Sequence, residues 1–280
     1  MPNQTWQIRY GDGTGASGIV YQDVVSIGDP TSTQPRQVVS FPNQVVQIAT
    51  SVSAGLTDDP YASGLMGLGM SSGNRVRPTP AKTFMDNIRS SLAQPLFTAN
   101  LRHTQPGTYS FGFINSSEHN TRIGYTPVNR DSIYWEFATS GFAVGSSPRQ
   151  SQPWTVLADT GTSLLLVPDF VVNAYYAQVP GSGYSRVWAA MIFPCATELP
   201  DWSFYVPVSN DGRTKVLYKG TVPGRYMNYA QVNTTHCYGG MQSSEEIGVS
   251  IFGDVLLKAQ LVVFDLGGMR IGFAGKRLGA

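Results

Sequence analysis

The chain has 280 residues, of which 13% are charged, and its formal net charge at pH 7 is +1. So small a net charge, with no basic run, excludes nucleic acid and an anionic membrane surface as expected partners, and no apolar run is long enough to span a bilayer. The plentiful glycine, serine, threonine, proline and tyrosine residues predict a mainly β protein with many turns, and the length allows one large or two moderate domains.

The N-terminal residues predict a β-hairpin. Trp6–Tyr10 alternates apolar and polar residues, as a half-buried strand does. Gly11–Gly15 supplies the residues of a tight turn, and Ile19–Gly28 returns as a second strand.

Two segments share an apolar-apolar-glycine pattern. The first, Leu65-Met66-Gly67, lies within Gly64–Met70, an apolar run whose three glycines predict close approach of backbones in a buried sheet. The second is Ile251-Phe252-Gly253. The pair indicates an internal duplication, with a boundary between the halves near residues 125 to 135.

Two short helices are predicted among the strands. Phe84, Ile88 and Leu92 recur at helical spacing, which predicts a helix over Thr83–Leu92. The second is predicted over Pro168–Gln178, where a proline occupies the first position, as helices tolerate.

The stretch Val156–Leu166 places a single acid, Asp159, between two apolar runs. A lone carboxylate inside buried strand is costly to ionise unless its neighbours hydrogen-bond it. Thr160, Thr162 and Ser163 offer hydroxyl donors, and Gly161 lets backbone amides approach the acid. These residues indicate a carboxylate poised for acid–base chemistry. The alternative is a strand that ends in a capping Asp and a Thr-Ser turn.

The cysteines and sequons bear on the cellular compartment. Cys195 and Cys237 either form one disulfide, worth about 4 kcal/mol on the chain-entropy estimate, or remain separate buried thiols. N-x-[ST] sequons at Asn3, Asn115 and Asn233 favour a secreted context. The first residues have neither a charged n-region nor an apolar h-region. We therefore expect that a secretory leader is missing from the sequence or that the protein stays inside the cell.

No metal site is predicted. His103, His119 and His236 are scattered without the spacing of metal ligands, so surface or loop positions are expected for all three.

Several segments, in order and over nearly the whole sequence, match the motifs of one family. Asp159-Thr160-Gly161-Thr162-Ser163 matches its second catalytic Asp motif, and Trp6–Gly18 resembles its flap hairpin, which folds over bound substrate. The two apolar-apolar-glycine segments are similar to those that support each catalytic loop. On these motifs the chain resembles the pepsin-type aspartic endopeptidases, nearest the secreted fungal acid proteases such as aspergillopepsin and penicillopepsin. Further family-like segments are Ser91–Phe97, Phe111–Ile114, Val262–Asp265 and Ile271–Ala274.

The resemblance implies a mainly β, bilobal pepsin-like fold with an active cleft between the lobes and, here, an incomplete N-terminal lobe. The expected domains are residues 1–130, the remainder of the N-terminal lobe with the flap hairpin, and residues 131–280, the C-terminal lobe with the Asp-Thr-Gly motif. Cys195 and Cys237 fall where the family carries the disulfide of its C-terminal lobe.

The resemblance also implies an endopeptidase that acts at acid pH. In the family, two carboxylates, one per lobe, share a proton and activate the water that attacks the scissile amide. Asp159 would be one of these acids, and Thr160, Gly161 and Thr162 would support its loop.

The flap hairpin and the expected partners follow from the same resemblance. Tyr10 would shape the subsite next to the cleavage point, and Gly11 and Asp12 would lie over the substrate backbone. The expected partner is a peptide or protein substrate in the interlobe cleft, with no cofactor, and the protein is expected to be a monomer. The expected location is extracellular by family, or intracellular if Met1 is the true start.

One departure from the family pattern concerns the first Asp motif, which lies upstream of the flap in the family. No second apolar-apolar-Asp-[Thr/Ser]-Gly exists in these 280 residues, and Asp254, which follows the second glycine segment, is expected to play a structural part. Each acid–base role is worth about 10²–10⁴ in rate, so with Asp159 alone we expect a poor protease. We also expect uncovered sheet edges and apolar surface in the N-terminal lobe.

Three interpretations stay open. The sequence is an incomplete version of an ordinary secreted acid endopeptidase, or a truncated, non-proteolytic family member repurposed for small-molecule biosynthetic chemistry in the cleft, or a pseudoenzyme that binds peptides without chemistry.

Overall fold

The computed structural model describes residues 1–28, 38–58, 60, 62–209 and 216–278. The chain forms two compact units. The smaller unit comprises Met1–Gln94 with Asp131–Tyr134, and the larger comprises Pro95–Arg130 with Trp135–Ala280. Strands predominate in both, which confirms the predicted mainly β class. No helix in the described part of the chain is long and apolar enough to cross a membrane.

The described residues of the smaller unit form one antiparallel sheet. Its strands are β1 (Thr5–Arg9), β2 (Gly15–Gly28), β3 (Val38–Val52) and β4 (Val76–Arg77). They lie in the order β3-β2-β1-β4, so β1 and β2 form the predicted hairpin. Trp6, Val20 and Val76 are buried together on one side of this sheet.

The one α-helix among the described residues of this unit, α1 (Phe84–Ile88), is shorter than predicted. It begins after Thr83, whose side chain accepts a hydrogen bond from the Asp86 N–H. Two serines follow Arg89, and serine competes with helix by bonding its own backbone, which explains why the helix ends before Leu92.

The larger unit holds the remaining strands. They are β5 (Leu96–Asn100), β6 (Thr108–Phe111), β7 (Gly124–Pro127), β8 (Glu136–Ala138), β9 (Gly141–Val144), β10 (Thr155–Ala158), β11 (Leu165–Val167), β12 (Gly183–Ser185), β13 (Ala190–Pro194), β14 (Trp202–Val208), β15 (Val216–Val222), β16 (Asn228–Gln231), β17 (His236–Gly239), β18 (Met241–Ser243), β19 (Ser250–Phe252), β20 (Gln260–Asp265) and β21 (Arg270–Gly275).

These strands form four sheets, in the orders β6-β5-β20-β21-β7, β18-β11-β19-β10-β8, β12-β13-β17-β16 and β15-β14-β9. In the first of them, β5 pairs with β20 and β7 with β21, so residues before position 130 share a sheet with the end of the chain. The division into lobes at residues 1–130 and 131–280 stays a prediction.

Two α-helices lie in the described part of the larger unit. The helix predicted over Pro168–Gln178 is α2 (Asp169–Tyr176), which follows Pro168. The second, α3 (Asp254–Leu257), was not predicted, because four residues are too few for a helical period to show in the sequence.

The two cysteines of the larger unit are joined. Cys195 follows β13 and Cys237 lies in β17, and their Cα atoms are 5.0 Å apart. The disulfide implied by the resemblance is therefore present, and it closes a loop over a sequence separation of 42.

The prediction of a buried sheet for Gly64–Met70 is wrong. No strand is formed there, and the exposed fractions of Leu65 and Met66 are 72% and 47%. A Cβ atom placed on Gly67 would meet nothing within 4 Å, so no described backbone packs against this glycine. The physical reason is that the described residues place no strand beside the segment.

Other apolar side chains of the smaller unit are exposed as well, in line with the expectation of uncovered apolar surface. They are Ile19, Tyr21, Val24, Val38, Ile48 and Val52.

Candidate active site

Asp159 lies at the end of a buried strand. β10 pairs in parallel with β19 and antiparallel with β8, and Val156, Leu157 and Ala158 are buried. The Asp159 N–H donates to the Phe252 carbonyl at 3.2 Å, which continues the β19 pairing by one residue. The apolar run therefore places the acid at the C-terminal end of a strand that is paired on both sides.

The turn after the strand supplies one hydrogen bond to each carboxylate oxygen of Asp159. The Gly161 N–H donates to Oδ1 at 2.9 Å, and the Thr162 hydroxyl donates to Oδ2 at 2.7 Å. A Cβ atom on Gly161 would lie 3.2 Å from Oδ1, which is tighter than an ordinary contact. Two donors offset part of the cost of burying a carboxylate, and each oxygen keeps a lone pair for a ligand.

The backbone that follows β19 packs against the turn after Asp159. The Asp254 N–H donates to the Thr162 carbonyl at 2.8 Å, and the Val255 N–H donates to the Ser163 carbonyl at 3.0 Å. A Cβ atom on Gly253 would overlap the carbonyl oxygens of Thr162 and Leu164. This close approach of backbones requires a glycine.

Replacing Gly253 by alanine is expected to destabilise the protein by about 1–3 kcal/mol, because backbone carbonyls must shift to admit the methyl group. The matched control is Gly67→Ala in the other copy of the pattern, where the methyl group has open space and an effect within about 0.5 kcal/mol is expected. Urea unfolding measures both. Equal losses for the two variants would contradict the packing argument.

Asp254 is a second acid close to Asp159. Its Oδ2 lies 3.7 Å from the Lys258 ammonium, and its Oδ1 is buried without a hydrogen-bond partner among the described residues. Burial raises the pKa of Asp254, Lys258 opposes that shift, and the neighbouring Asp159 raises the pKa further. The structural part expected for Asp254 stays a prediction.

Tyr109 also belongs to the site, and no sequence signal singled it out. Burial raises the pKa of Tyr109, the neighbouring Thr160 side chain lowers it, and Asp254 and Asp159 raise it again. Strand β6 brings the tyrosine to the turn through sheet pairing, which residue spacing does not encode.

The predicted flap residues Tyr10, Gly11 and Asp12 lie together in the turn between β1 and β2, in the smaller unit. Asp12 Oδ1 accepts hydrogen bonds from the Thr14 N–H at 2.9 Å and the Thr14 hydroxyl at 2.7 Å. Both bonds lower the pKa of Asp12, and the bond from the Thr14 hydroxyl has the larger effect. Burial raises the pKa of the half-buried Tyr10, and Asp12 adds to the shift.

The backbone of this turn is closed by its own hydrogen bonds. The Tyr10 N–H donates to the Thr14 carbonyl at 2.8 Å, and Gly13 has a φ of 84°, which favours glycine. Gly11 stays exposed at the tip. The hairpin tip is therefore exposed, and its role in substrate binding stays a prediction.

These features coincide with those of one protein family. The family model described as eukaryotic aspartyl protease matches residues 1–276. The chain belongs to this family. The predicted recognition of a pepsin-type aspartic endopeptidase is thereby confirmed.

Named members of the family are similar over nearly all of the chain. Aspergillopepsin-1 of Aspergillus pseudoglaucus is 44% identical over 272 residues, which cover 97% of this chain and 65% of the relative. Penicillopepsin-3 of Penicillium janthinellum is also 44% identical over 272 residues, which cover 96% of this chain and 64% of the relative. The chain thus spans about 65% of the length of the curated relatives it matches.

A solved structure supports the fold. The crystal structure of the aspartic proteinase from Irpex lacteus has a TM-score of 0.76 and 20% sequence identity, and the match covers 99% of this chain and 82% of that chain. This similarity confirms the predicted pepsin-like fold.

Proposed function

We propose that this protein is a pepsin-like aspartic endopeptidase that hydrolyses peptide bonds at acid pH, with Asp159 as one of two dyad acids. The observation that carries the proposal is the Asp159 carboxylate, which projects from a buried strand and accepts one bond from Gly161 and one from Thr162. Membership of the aspartyl protease family supports the same reaction. Thr160 and the flap residues have supporting roles in this proposal.

The chemistry requires two carboxyl groups and one water. The ionised acid takes a proton from the water, whose oxygen attacks the carbonyl carbon, while the protonated acid donates to the carbonyl oxygen. The resulting gem-diol collapses as its C–N bond breaks, and a proton passes to the leaving amine. One carboxyl group cannot serve as base and acid in the same step.

The smaller unit supports a place for the second acid. In the larger unit, Ile251-Phe252 pairs in parallel with Leu157-Ala158, the strand that ends in Asp159. The matching Leu65-Met66-Gly67 is exposed and open beside its glycine. We infer that this segment accepts a parallel strand that ends in apolar-apolar-Asp-[Thr/Ser]-Gly, a motif these 280 residues contain only at Asp159.

A second candidate is acid–base chemistry on a small molecule by a non-proteolytic member of the family. It is favoured by one observation, namely that Asp159, Asp254 and Tyr109 lie within electrostatic reach of one another inside the larger unit. This cluster needs no contribution from any other part of the protein.

The Asp159→Asn variant tests both candidates. We expect the rate of cleavage of a peptide with apolar residues at the cut to fall at least about 10²-fold at acid pH, because the amide cannot exchange a proton with water. The measurement uses the native protein, with its intact mass and N-terminal sequence determined. Asp23→Asn, at an exposed position of β2, is the matched control and should cleave at the wild-type rate.

The outcomes separate the interpretations. Undiminished cleavage by Asp159→Asn overturns the endopeptidase proposal. Binding of a pepstatin-type inhibitor without cleavage at any acid pH identifies a peptide-binding pseudoenzyme. Turnover of a small molecule that disappears in Asp159→Asn, without any peptide cleavage, establishes the second candidate.

We also infer that the protein is extracellular and glycosylated. Disulfides such as Cys195–Cys237 persist in oxidising compartments, and the Asn233 sequon lies exposed between β16 and β17. Detection in culture medium with a mass shift on glycosidase treatment supports this inference. Purely intracellular, unmodified protein would contradict it.

A further inference from the structure

A second carboxylate, that of Glu136, lies on the same face of the sheet as Asp159. Side chains alternate along a strand, so Leu157, two residues before Asp159, shares its face. Glu136 of β8 is the direct pairing partner of Leu157, and residues paired across two strands lie on one face. The register therefore places Glu136 one strand across and two residues back from the acid.

A cavity of about 380 Å³ lies at the end of this sheet that is remote from Asp159. Its lining includes Glu136 and Glu245, with Thr155 at the start of β10 and Ser250 at the start of β19. All of these residues belong to the larger unit. Small-molecule pockets measure about 300–1,000 Å³, so this cavity has room for a whole side chain of a ligand.

The two carboxylates of the cavity are not neutralised by the protein. None of the ion pairs among the described residues involves Glu136 or Glu245. Glu136 is half-buried, and its Oε1 accepts a hydrogen bond from the Asn129 side-chain amide at 2.8 Å, which fixes the orientation of the carboxylate. Two uncompensated negative charges at one cavity favour a cationic group that enters from outside.

The donor set indicates which kind of cation fits. The part of the chain that the structure describes holds no group of three or more His, Cys, Asp or Glu side chains placed for a metal ion. Ca²⁺ takes about 6–8 oxygen ligands, whereas an ammonium or guanidinium group is bound well by one or two carboxylates. The cavity therefore suits a lysine or arginine side chain better than a metal ion.

The distance from Asp159 sets where that side chain must lie in a peptide. Glu136 is level with Leu157, about 7 Å of strand from Asp159, and Thr155 lies about 13 Å of strand from it. An extended peptide advances by about 3.3 Å per residue. A substrate whose scissile bond lies at Asp159 therefore reaches the cavity with its second to fourth residue from the cut.

We propose that Glu136, together with Glu245, selects substrates with a lysine or arginine two to four residues from the scissile bond. The proposal rests on the endopeptidase function proposed above, because it requires a substrate at Asp159. Glu136 binds the substrate in this role and takes no part in proton transfer.

The first test compares peptides that differ in charge alone. Lysine or norleucine is placed at each of the second to fourth positions on either side of the cut, and kcat/KM is measured at about pH 5.5, where carboxylates in general are ionised. We expect lysine to be preferred about three- to tenfold at one or more of these positions. Equal values for the two residues at every position would overturn the proposal.

Variants then assign the preference to Glu136. Glu136→Gln removes the charge and keeps an oxygen for the Asn129 bond, so the lysine-to-norleucine ratio should fall to about one. Glu136→Lys should make glutamate the preferred residue at the same position. Glu198→Gln, at an exposed position outside the cavity, is the matched control and should keep the wild-type ratio. A ratio in Glu136→Gln equal to that of the control would overturn the proposal.

A binding measurement separates this proposal from the endopeptidase function. Pepstatin-type inhibitors that carry lysine or norleucine at the preferred position, or at each of the second to fourth positions if no peptide is cleaved, are titrated into the native protein by calorimetry. If no peptide is cleaved but the lysine inhibitor binds about three- to tenfold more tightly, and Glu136→Gln abolishes the difference, the endopeptidase function fails and the role of Glu136 stands. Equal affinities, or no binding of either inhibitor, would overturn the role of Glu136.

Discussion

Replacing Lys276 by methionine is expected to abolish a rise in stability of about 5 kcal/mol that the wild type gains between neutral and strongly alkaline pH. Lys276 has an exposed fraction of 9%, and burial lowers its pKa from 10.5 to about 7. Nearby Arg102 lowers the pKa further, and Glu118 opposes the shift. No carboxylate of the described residues lies within salt-bridge distance of the ammonium.

The sign of the effect follows from the two pKa values. Below pH 7 the folded and unfolded states both carry the charge, so the full cost of burying it is present. As the pH rises through 7, the folded state releases its proton while the unfolded state keeps it up to 10.5, so the free energy of unfolding increases. About half of the increase is expected between pH 7 and 9.

The acceptors of the Lys276 ammonium among the described residues are all neutral. It donates to the Leu101 carbonyl, to Asn100 Oδ1 at 3.2 Å and to the Leu257 carbonyl at 3.4 Å. Methionine leaves these oxygens without that donor, which costs stability at every pH. The slope with pH, rather than the absolute stability, is therefore the quantity to compare.

Urea unfolding from pH 6 to 9 measures that slope in the wild type and in Lys276→Met. Lys219→Met, at an exposed position of β15, is the matched control and should keep the wild-type slope. Parallel profiles for the wild type and Lys276→Met would contradict the prediction.

Loss of the Cys195–Cys237 disulfide is expected to cost about 4 kcal/mol of stability on the chain-entropy estimate for a loop of this length. The bond joins the end of β13 to β17, which are neighbouring strands of one sheet, so without it the unfolded chain gains freedom while the folded pairing stays the same. The double variant Cys195→Ala/Cys237→Ala should unfold at a lower urea concentration with a similar dependence on urea.

The reductant control uses the same proteins. Dithiothreitol should lower the stability of the wild type to near that of the double variant and leave the variant unchanged. If the double variant is less stable than the oxidised wild type by under about 1 kcal/mol, the prediction is contradicted, because other contacts then restrain the loop.

Local patterns in the sequence determined much of this protein. Alternation around a glycine-rich turn sufficed for the hairpin of β1 and β2, and helical spacing sufficed for the existence of α1 and α2. The order of residues at Asp159–Thr162 encodes the two hydrogen bonds to the carboxylate, because donor and acceptor lie within three residues of each other. The same motifs, taken in order, were enough to identify the family.

Only the tertiary structure decided which distant residues meet. Tyr109 and Asp254 reach the Asp159 turn through the pairing of strands and through α3, and neither contact has a spacing that can be read along the chain. The two apolar-apolar-glycine segments show the same limit most clearly. Ile251-Phe252-Gly253 is buried because β10 and β11 lie beside it, whereas Leu65-Met66-Gly67 has no described strand beside it and stays exposed. Burial depends on neighbours that other parts of the fold supply, so two segments with the same apolar-apolar-glycine pattern differ, one being buried and the other exposed.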